Sequence, residues 1–415
     1  MAKIRSNTIA ALDIGSSKIS CLLAKISSDL SVQIIGSGHH VARGIKSGAI
    51  IDMEDAIQAI SNAVSAAEQI SGETAHDVIV NITAGQPSSK MIHAEVQLAG
   101  HEVDDNDLKN VLDHGRTLPD LTDRTLIHSI PTDYVIDGSH GIRDPRGMFG
   151  QKLAANIHAV TANIGAIRNI ANCISRCHLD ITAAVLSSYA SGLACLVEDE
   201  MDLGVTIIDM GGGTTKTAVF NDGNLIFTDL LSVGGSHVTN DIARGLGTPL
   251  THAERLKTLH GHAMLMSMDD NEILDVPFIG DDQYAQSGPI SKSVLVSIIQ
   301  PRLEEIFELI RSRLEASGLD HLAGRHVVLT GGASQLPGTR ELASMVLNKQ
   351  VRIGRPLKIP GLQITEAGPA SSTLVGLLVY ALQNKSIYGK SIPSLDKKSQ
   401  KTVFSRIGKL FGRSK

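Results

Sequence analysis

The chain has 415 residues, of which 42% are hydrophobic and 20% are charged, and its net charge is −5. This length allows two or more domains, and their cores must be aliphatic because Trp is absent and aromatic residues make up only 3%. No apolar stretch reaches the roughly 18 residues of a membrane-spanning helix, and the first residues lack the apolar region of a secretory signal. We therefore expect a cytoplasmic protein.

The charge is unevenly distributed along the chain. Residues 384–415 carry nine basic side chains and one acidic side chain, a net charge of +8, which leaves −13 on the remainder. An acidic body disfavours general binding to nucleic acid. The four cysteines lack the spacing of a zinc site, so we expect reduced thiols.

Hydrophobic periodicity predicts the secondary structure of the first half. The predicted elements are three meandering strands in 8–38, a helix at 53–70 capped by Asp52, a strand at 78–82, a helix near 104–114, strands near 125–136 and 153–161, and helices at 164–177 and 183–196. The block at 86–161 is richer in polar and turn residues than its surroundings. It is therefore interpreted as a compact insert.

The second half repeats the pattern of the first. Its predicted elements are strands at 205–208, 217–220 and 225–231, a mainly helical block at 236–320, a strand at 327–329, and helices from about 338 and at 370–383. A weak twofold repeat of this kind indicates two related α/β lobes.

Two short segments, one in each half, share an unusual order of residues. Residues 12–18 read Leu-Asp-Ile-Gly-Ser-Ser-Lys, and residues 209–216 read Asp-Met-Gly-Gly-Gly-Thr-Thr-Lys. Glycine lets the backbone approach a ligand, successive N–H groups form an anion-binding concavity, and hydroxyls donate to phosphate oxygens. A plain hairpin also uses glycine, so each segment alone leaves that alternative open. Two facing turns would hold a phosphate chain from both sides.

A carboxylate stands at the start of each turn. Asp13 and Asp209 cannot contact phosphate directly without repulsion. Each would instead hold a hydrated Mg²⁺ or orient a water molecule. These two residues are the candidate catalytic and metal-binding groups.

In their order along the chain, these pieces resemble the actin, Hsp70 and sugar-kinase superfamily. The matching pieces are phosphate turns at 12–18 and 207–215, connecting helices at 186–196 and 367–381, and an adenosine segment at 329–338. Within the superfamily, the chain is similar to the FtsA family of bacterial division proteins. Residues 126–138 and 141–148 match the inserted subdomain of that family, and 253–257 match its ribose-contacting helix.

The resemblance implies an α/β, actin-like (ribonuclease H-like) fold of two lobes, with an inserted subdomain and a C-terminal amphipathic helix. The expected divisions are 1–85, 162–197 (lobe 1 core), 86–161 (insert), 198–236, 323–383 (lobe 2 core), 237–322 (helical subdomain), 384–401 (flexible linker) and 402–415 (membrane-targeting helix).

The resemblance also implies ATP and Mg²⁺ as cofactors. Glu254 and Lys257 lie three residues apart on one helix face and suit ribose hydroxyls, although an exposed ion pair explains the same spacing. The expected ATP-binding residues are Gly15, Ser16, Ser17, Lys18, Gly211, Gly212, Gly213, Thr214, Thr215, Lys216, Gly234, Gly235, Glu254, Lys257, Gly331, Gly332, Ala333 and Ser334.

Two positions depart from the patterns of related proteins. Actin has a water-positioning glutamine where this chain has Ala183, so we expect slow or negligible ATP hydrolysis. The stretch 149–153 lacks the serine and arginine that FtsA proteins often carry there.

The basic tail ends in an amphipathic pattern. A helix over 402–413 would carry an apolar face and a basic face, formed by Val403, Phe404, Ile407, Leu410 and Phe411 and by Arg406, Lys409 and Arg413 respectively. At about 18 Å this helix is too short to span a bilayer, and it suits the surface of an anionic membrane. Packing on a protein, or disorder, is the alternative.

The resemblance implies a division protein that polymerises and tethers FtsZ to the inner face of the cytoplasmic membrane at the division site. Its expected partners are the FtsZ C-terminal peptide near Arg302 and Glu304, other copies of the chain, anionic lipids, and later division proteins through the insert. A pilus-assembly-type ATPase or a small-molecule kinase of the same fold is the alternative.

Overall fold

The computed structural model describes residues 8–26, 32–117, 121–267, 269–279, 287–363 and 366–389. The first half contains β1 (Thr8–Ile14), β2 (Lys18–Ile26), β3 (Val32–Val41), β4 (Ile45–Lys46), β5 (Ala49–Ile50), α1 (Met53–Ser71), β6 (Asp77–Ile82), β7 (Ser88–Gln97), α2 (Asp105–Arg116), β8 (Arg124–Ile136), β9 (Ser139–Ile142), β10 (Lys152–Asn163), α3 (Ile164–Arg176), β11 (Asp180–Leu186) and α4 (Ser187–Cys195).

The second half begins with a short helix and ends with a long one. It contains α5 (Glu198–Leu203), β12 (Val205–Met210), β13 (Thr215–Asn221), β14 (Asn224–Leu231), α6 (Gly235–Leu246), α7 (Leu250–His260), β15 (Ile273–Pro277), β16 (Ser287–Ser291), α8 (Lys292–Ala316), β17 (His326–Thr330), α9 (Thr339–Leu347), β18 (Gln350–Ile353) and α10 (Ser372–Gly389).

Two five-stranded sheets of the same topology form the cores of the two lobes. In the first, β1 pairs antiparallel with β2, β2 pairs antiparallel with β3, and β6 and β11 extend the other side in parallel. In the second, β12, β13 and β14 form the antiparallel meander, and β17 and β18 are the parallel strands. The predicted repeat of two α/β lobes is confirmed.

Helix α1 shows how local sequence sets these elements. The Asp52 side chain accepts a hydrogen bond from the Asp55 N–H and caps its start, and Gly72 ends it in the left-handed conformation at φ +69°. Ile60 and Val64 belong to its buried face. The predicted cap is therefore present, and the helix buries one apolar face.

The connecting helices α4 and α10 lie at the centre of the molecule. They share one apolar cluster with strands of both sheets, which includes Leu22, Ala190, Phe220 and Leu377. A Cβ on Gly376 would overlap the carbonyl oxygen of Ala190, so the two helix backbones approach very closely. This crossing holds the lobes on either side of a common core.

The insert forms a separate antiparallel sheet in the order β7–β10–β8–β9. Helix α2 packs on it through a small apolar core that includes Val111, Leu153 and Ile157. The insert thus has its own hydrophobic core.

The insert contacts both lobes. Nε2 of His128 on β8 accepts a 2.9 Å hydrogen bond from the N–H of Leu186 in lobe 1. The N–H of Thr228 in lobe 2 donates to Ser89 Oγ on β7 at 3.2 Å. Burial lowers the pKa of His128 to about 4, so the ring is neutral at pH 7 and available as an acceptor.

The structure corrects the prediction of a helix over 183–196. Residues 180–186 form β11, in which Ala183 pairs with Ile79, and α4 begins only at Ser187. Parallel pairing with β6 overrides the helix propensity of the two adjacent alanines.

Other differences concern elements that the periodicity did not predict. The hairpin β15–β16 lies in the block at 236–320 that was predicted to be mainly helical, and strand β18 follows the helix predicted from about residue 338. Helix α10 extends to Gly389, so residues 384–389 are helical rather than linker. The rest of the predicted linker and the predicted membrane helix at 402–415 lie outside the described residues. Within the described ranges, no helix combines the length and hydropathy needed to cross a bilayer.

The crossing of α4 and α10 makes a stability prediction. Gly376→Ala should lower the free energy of unfolding by about 1–3 kcal/mol, because the added methyl group meets backbone that cannot rotate away. Urea unfolding measures the effect. Gly165→Ala, on the exposed first turn of α3, is the control: its Cβ would meet only the Asn163 side chain, at 3.2 Å, and it should not lower stability by more than about 0.5 kcal/mol, since alanine favours a helix over glycine. Equal stabilities for the two variants would contradict the close crossing.

Candidate functional site

The two glycine turns have the same backbone construction. In the turn between β1 and β2, the Gly15 N–H donates to Lys18 O at 3.1 Å, and in the turn between β12 and β13 the Gly211 N–H donates to Thr214 O at 2.8 Å. Both are therefore tight hairpin turns, as the simpler alternative held. They are also more than hairpins, because they face each other across the lobes.

Glycine is required where the turns approach. A Cβ on Gly213 would lie 2.7 Å from the Cβ of Ser16 and 3.1 Å from the Cα of Ser47. A Cβ on Gly212 would overlap Ser17 Oγ. Side chains at these two positions would force the lobes apart or displace the serines.

The turns form part of a cavity of about 690 Å³ between the lobes. This volume is within the range of small-molecule and cofactor sites. Both carboxylates, Asp13 and Asp209, line it. The predicted nucleotide-binding residues that line it are Gly15, Ser16, Ser17, Lys18, Gly211, Gly212, Gly213, Thr214, Lys216, Gly235, Glu254, Lys257, Gly331, Gly332 and Ala333.

Three predicted residues support the cavity instead of lining it. Thr215 Oγ1 donates to Val233 O at 2.8 Å, the Gly234 N–H donates to His237 Nδ1 at 3.1 Å, and Ser334 Oγ donates to Gly331 O at 2.7 Å. Each of these bonds braces a turn whose neighbouring residues face the cavity.

The carboxyl group of Asp13 has a raised pKa. Burial raises its pKa to about 6; Lys216 and Lys18 oppose that shift, and Asp209 adds to it. Asn81 Nδ2 donates a 2.7 Å hydrogen bond to Asp13 Oδ1. The carboxylate therefore lies in a setting that favours an added cation.

Asp209 is held differently. Its Oδ2 accepts hydrogen bonds from Ser191 Oγ at 2.8 Å, Thr373 Oγ1 at 3.0 Å and Lys216 Nζ at 3.2 Å. Ser191 lies on α4 and Thr373 on α10, so this buried carboxylate bonds both connecting helices to β12. The Lys216 ammonium compensates its charge.

Glu254 and Lys257 form one corner of the cavity. Lys257 Nζ donates to Glu254 Oε2 at 2.7 Å, to Thr239 Oγ1 at 2.8 Å and to Gly235 O at 3.1 Å. Burial raises the pKa of Glu254, but the hydrogen bonds from Lys257 and Thr239 outweigh that effect and hold it below the ordinary value. The pair is thus an ion pair that also faces the cavity.

Small residues form another part of the cavity lining. Gly331 adopts φ +85°, and its N–H donates to Pro369 O at 3.1 Å. A Cβ on Gly332 would lie 3.8 Å from the Cβ of Ala370, an ordinary contact distance. Together with Ala333, these residues form a wall without large side chains, against which a flat ring could lie.

The sequence-based prediction missed several residues around the cavity. Asn81 is the penultimate residue of β6, Thr83 follows that strand, Gly48 lies in the β4–β5 turn with its N–H donating to Ser16 Oγ at 2.9 Å, and Thr373 lies in the first turn of α10. The rule that ligands bind at the carboxyl ends of parallel strands identifies Asn81 and Thr83 once β6 is placed beside β1. No comparable signal identifies Gly48.

Two further predictions concern residues away from these turns. Ala183 packs against the central apolar cluster and is not part of the cavity lining. On α8, Arg302 pairs with Asp241 at 2.5 Å and with Glu305, and Glu304 accepts from Gln300 Nε2 at 2.8 Å. The Arg302 cation is therefore compensated within the chain.

The acid at the cavity floor makes a pH prediction for protein without nucleotide or divalent cation. Because the folded-state pKa of Asp13, about 6, lies above the ordinary aspartate value of 3.8, ionising this carboxyl destabilises the fold as the pH rises through that interval. Asp13→Asn should gain unfolding free energy relative to the parent chain between about pH 4 and pH 7. Urea titrations across that range measure the gain. A pH-independent difference would contradict the raised pKa of Asp13.

Models of two protein families match parts of the chain. The model described as "Cell division protein FtsA" matches residues 206–376, and the model described as "SHS2 domain inserted in FTSA" matches residues 84–161.

Curated relatives match over nearly the full length. The FtsA protein of Rhizobium meliloti is 44% identical over 386 residues, which cover 91% of this chain and 87% of that protein. That of Pseudomonas aeruginosa is 36% identical over 387 residues, with 93% and 92% covered. That of Escherichia coli K12 is 32% identical over 383 residues, with 91% and 90% covered.

Solved structures share the fold at low identity. A PilM–PilN type IV pilus biogenesis complex superposes with a TM-score of 0.63 at 16% identity, covering 90% of this chain and 98% of that chain. MreB5 of Spiroplasma citri bound to ADP gives a TM-score of 0.54 at 12% identity, covering 93% and 99%. These likenesses show an actin-like architecture.

Proposed function

Because the chain belongs to the FtsA family of cell division proteins, we propose that it binds ATP with Mg²⁺ between its lobes, polymerises like actin, and tethers FtsZ to the inner face of the cytoplasmic membrane. It would act as a peripheral protein at the division site and recruit later division proteins through its insert. The observation that carries the nucleotide part is the pair of glycine turns that face each other across the cavity.

The donors around the cavity suit a polyphosphate. The turns at 15–17 and 211–214 offer backbone N–H groups and hydroxyls, and Lys18 and Lys216 add positive charge. The glycines leave space that a Cβ would fill. The base would lie against Gly332 and Ala333, and the ribose hydroxyls against Glu254 and Lys257.

The acidic pair suits a hydrated Mg²⁺. This ion keeps several waters and binds proteins through one or two carboxylates together with substrate phosphates. Asp13 and Asp209 would hold such waters, and the bound ion would offset phosphate charge. Slow or negligible hydrolysis remains our proposal, because Ala183 has no group that could orient a water and packs in an apolar cluster.

Nucleotide binding is tested at the closest approach of the turns. Gly213→Ala should weaken ATP affinity about tenfold or more, a loss of roughly 1.4 kcal/mol, because its methyl group crowds Ser16 and the backbone at Ser47. Calorimetric titration of the full chain with ATP and Mg²⁺ measures the affinity. Gly165→Ala serves again as the matched control and should bind like the parent. Equal ATP affinities for the two variants would contradict a nucleotide site formed by the two facing turns.

Association with partners would use surfaces outside the cavity. Ile51, Ile70, Leu259 and Met345 are large apolar side chains exposed on the two lobes, and they supply contact area for a polymer. The FtsZ C-terminal peptide would dock on the helical subdomain near α8. An acidic peptide that uses Arg302 would have to replace its partner Asp241.

Membrane attachment is proposed for residues 402–415, from their sequence alone. Phe404→Glu or Phe411→Glu should release the chain from anionic vesicles, because each change places a charge on the predicted apolar face. Ser405→Glu adds the same charge to the predicted polar face and should leave binding largely intact. Flotation of vesicles in the presence of FtsZ measures both the membrane binding of the chain and its recruitment of FtsZ, since FtsZ should float only with a chain that keeps this segment. Unchanged flotation of the Phe variants would refute the anchor.

A further inference from the structure

A buried asparagine lies beside the cavity floor at the carboxyl end of β6. Asn81 is 2% exposed. Its Oδ1 accepts from the Ile14 N–H at 2.7 Å, and its Nδ2 lies 2.7 Å from Asp13 Oδ1 and 3.2 Å from Ser187 Oγ. Because the Ile14 N–H is a donor and the Asp13 carboxylate is an acceptor, the amide oxygen of Asn81 must face Ile14 and the amide nitrogen must face Asp13.

The third contact connects this amide to the start of α4. The N-cap residue of α4 is Leu186, whose apolar side chain cannot cap the helix. The next residue is fixed by the end of β6, because Ser187 Oγ hydrogen-bonds to Thr83 Oγ1 at 2.6 Å and donates to the Ile82 carbonyl at 3.0 Å. The Asn81 side chain is thus held by β1 and by a connecting helix, so it has little freedom to rotate.

The two cavity carboxylates differ in what orients them. Asp209 has an ammonium and two hydroxyls on one oxygen. Among the described residues, the side-chain donor to Asp13 is the neutral amide of Asn81. An amide directs a carboxylate without cancelling its charge, which leaves that charge for a cation.

We propose that Asn81 is a positioning residue that holds the Asp13 carboxylate in the orientation from which it binds the water shell of Mg²⁺. The inference rests on the proposed ATP and Mg²⁺ binding and deepens it. Partners that orient a metal-facing carboxylate commonly change metal affinity by about tenfold to a hundredfold when removed. Asn81 should therefore affect the part of ATP affinity that depends on Mg²⁺ and leave the metal-independent part nearly unchanged.

The test is ATP affinity of the full chain, measured by calorimetry in excess Mg²⁺ and again in EDTA. For Asn81→Ala, the ratio of the two affinities should fall about tenfold, while the affinity in EDTA stays within about twofold of the parent. Asn81→Ser keeps a small polar group beside Ile14 and gives the same reading if the alanine variant folds poorly.

Thr182→Val is the matched control. It removes a partly buried hydroxyl bond to Val78 O from the adjacent strand β11 without touching Asp13, and it should leave the ratio unchanged. Loss of affinity in equal proportion with and without Mg²⁺, or no loss, would show that Asn81 is merely structural. A parent chain that binds no ATP in either buffer would instead overturn the proposed function, and this inference with it.

Discussion

The close crossing of α4 and α10 is the constraint on which the rest of the structure depends. At Gly376 the two helix backbones leave no room for a methyl group, and strands of both sheets pack around them. Just above the crossing, Ser191 and Thr373, one from each helix, donate to the same oxygen of Asp209. The distance between the lobes, and so between the two glycine turns, is set by this packing and by hydrogen bonds that converge on a cavity residue.

Helix α4 links the two carboxylates to the insert. Ser187 and Ser191 are one helical turn apart on the same face, and they reach Asn81 and Asp209 respectively. The N–H of Leu186, the residue before Ser187, donates to His128 of the insert. The insert also contacts β14 of the other lobe, through Ser89. A relative motion of the lobes would therefore have to strain or break contacts of the insert, which we propose as the part of the chain that meets later division proteins.

The sequence predicts the parts of this arrangement that local patterns encode. The meanders, the insert and the glycine turns follow from alternation, composition and short motifs, and most of the predicted nucleotide residues line one cavity. The strand at 180–186 escaped prediction because its two alanines favour a helix until β6 offers parallel pairing. Asn81, Gly48 and Thr373 escaped for a related reason, since their places beside the turns arise only when distant segments pack together. The compensation of Arg302 by Asp241, 61 positions away, is likewise invisible to a local pattern.

We propose above all that both lobes bind the same nucleotide. Amide hydrogen exchange of the full chain, with and without ATP and Mg²⁺, tests it most directly, because each turn is followed in its own peptide. If both lobes bind one nucleotide, the segments at 15–18 and 211–214 become protected together, at the same ATP concentration. Protection of one turn alone, or of neither, would contradict it.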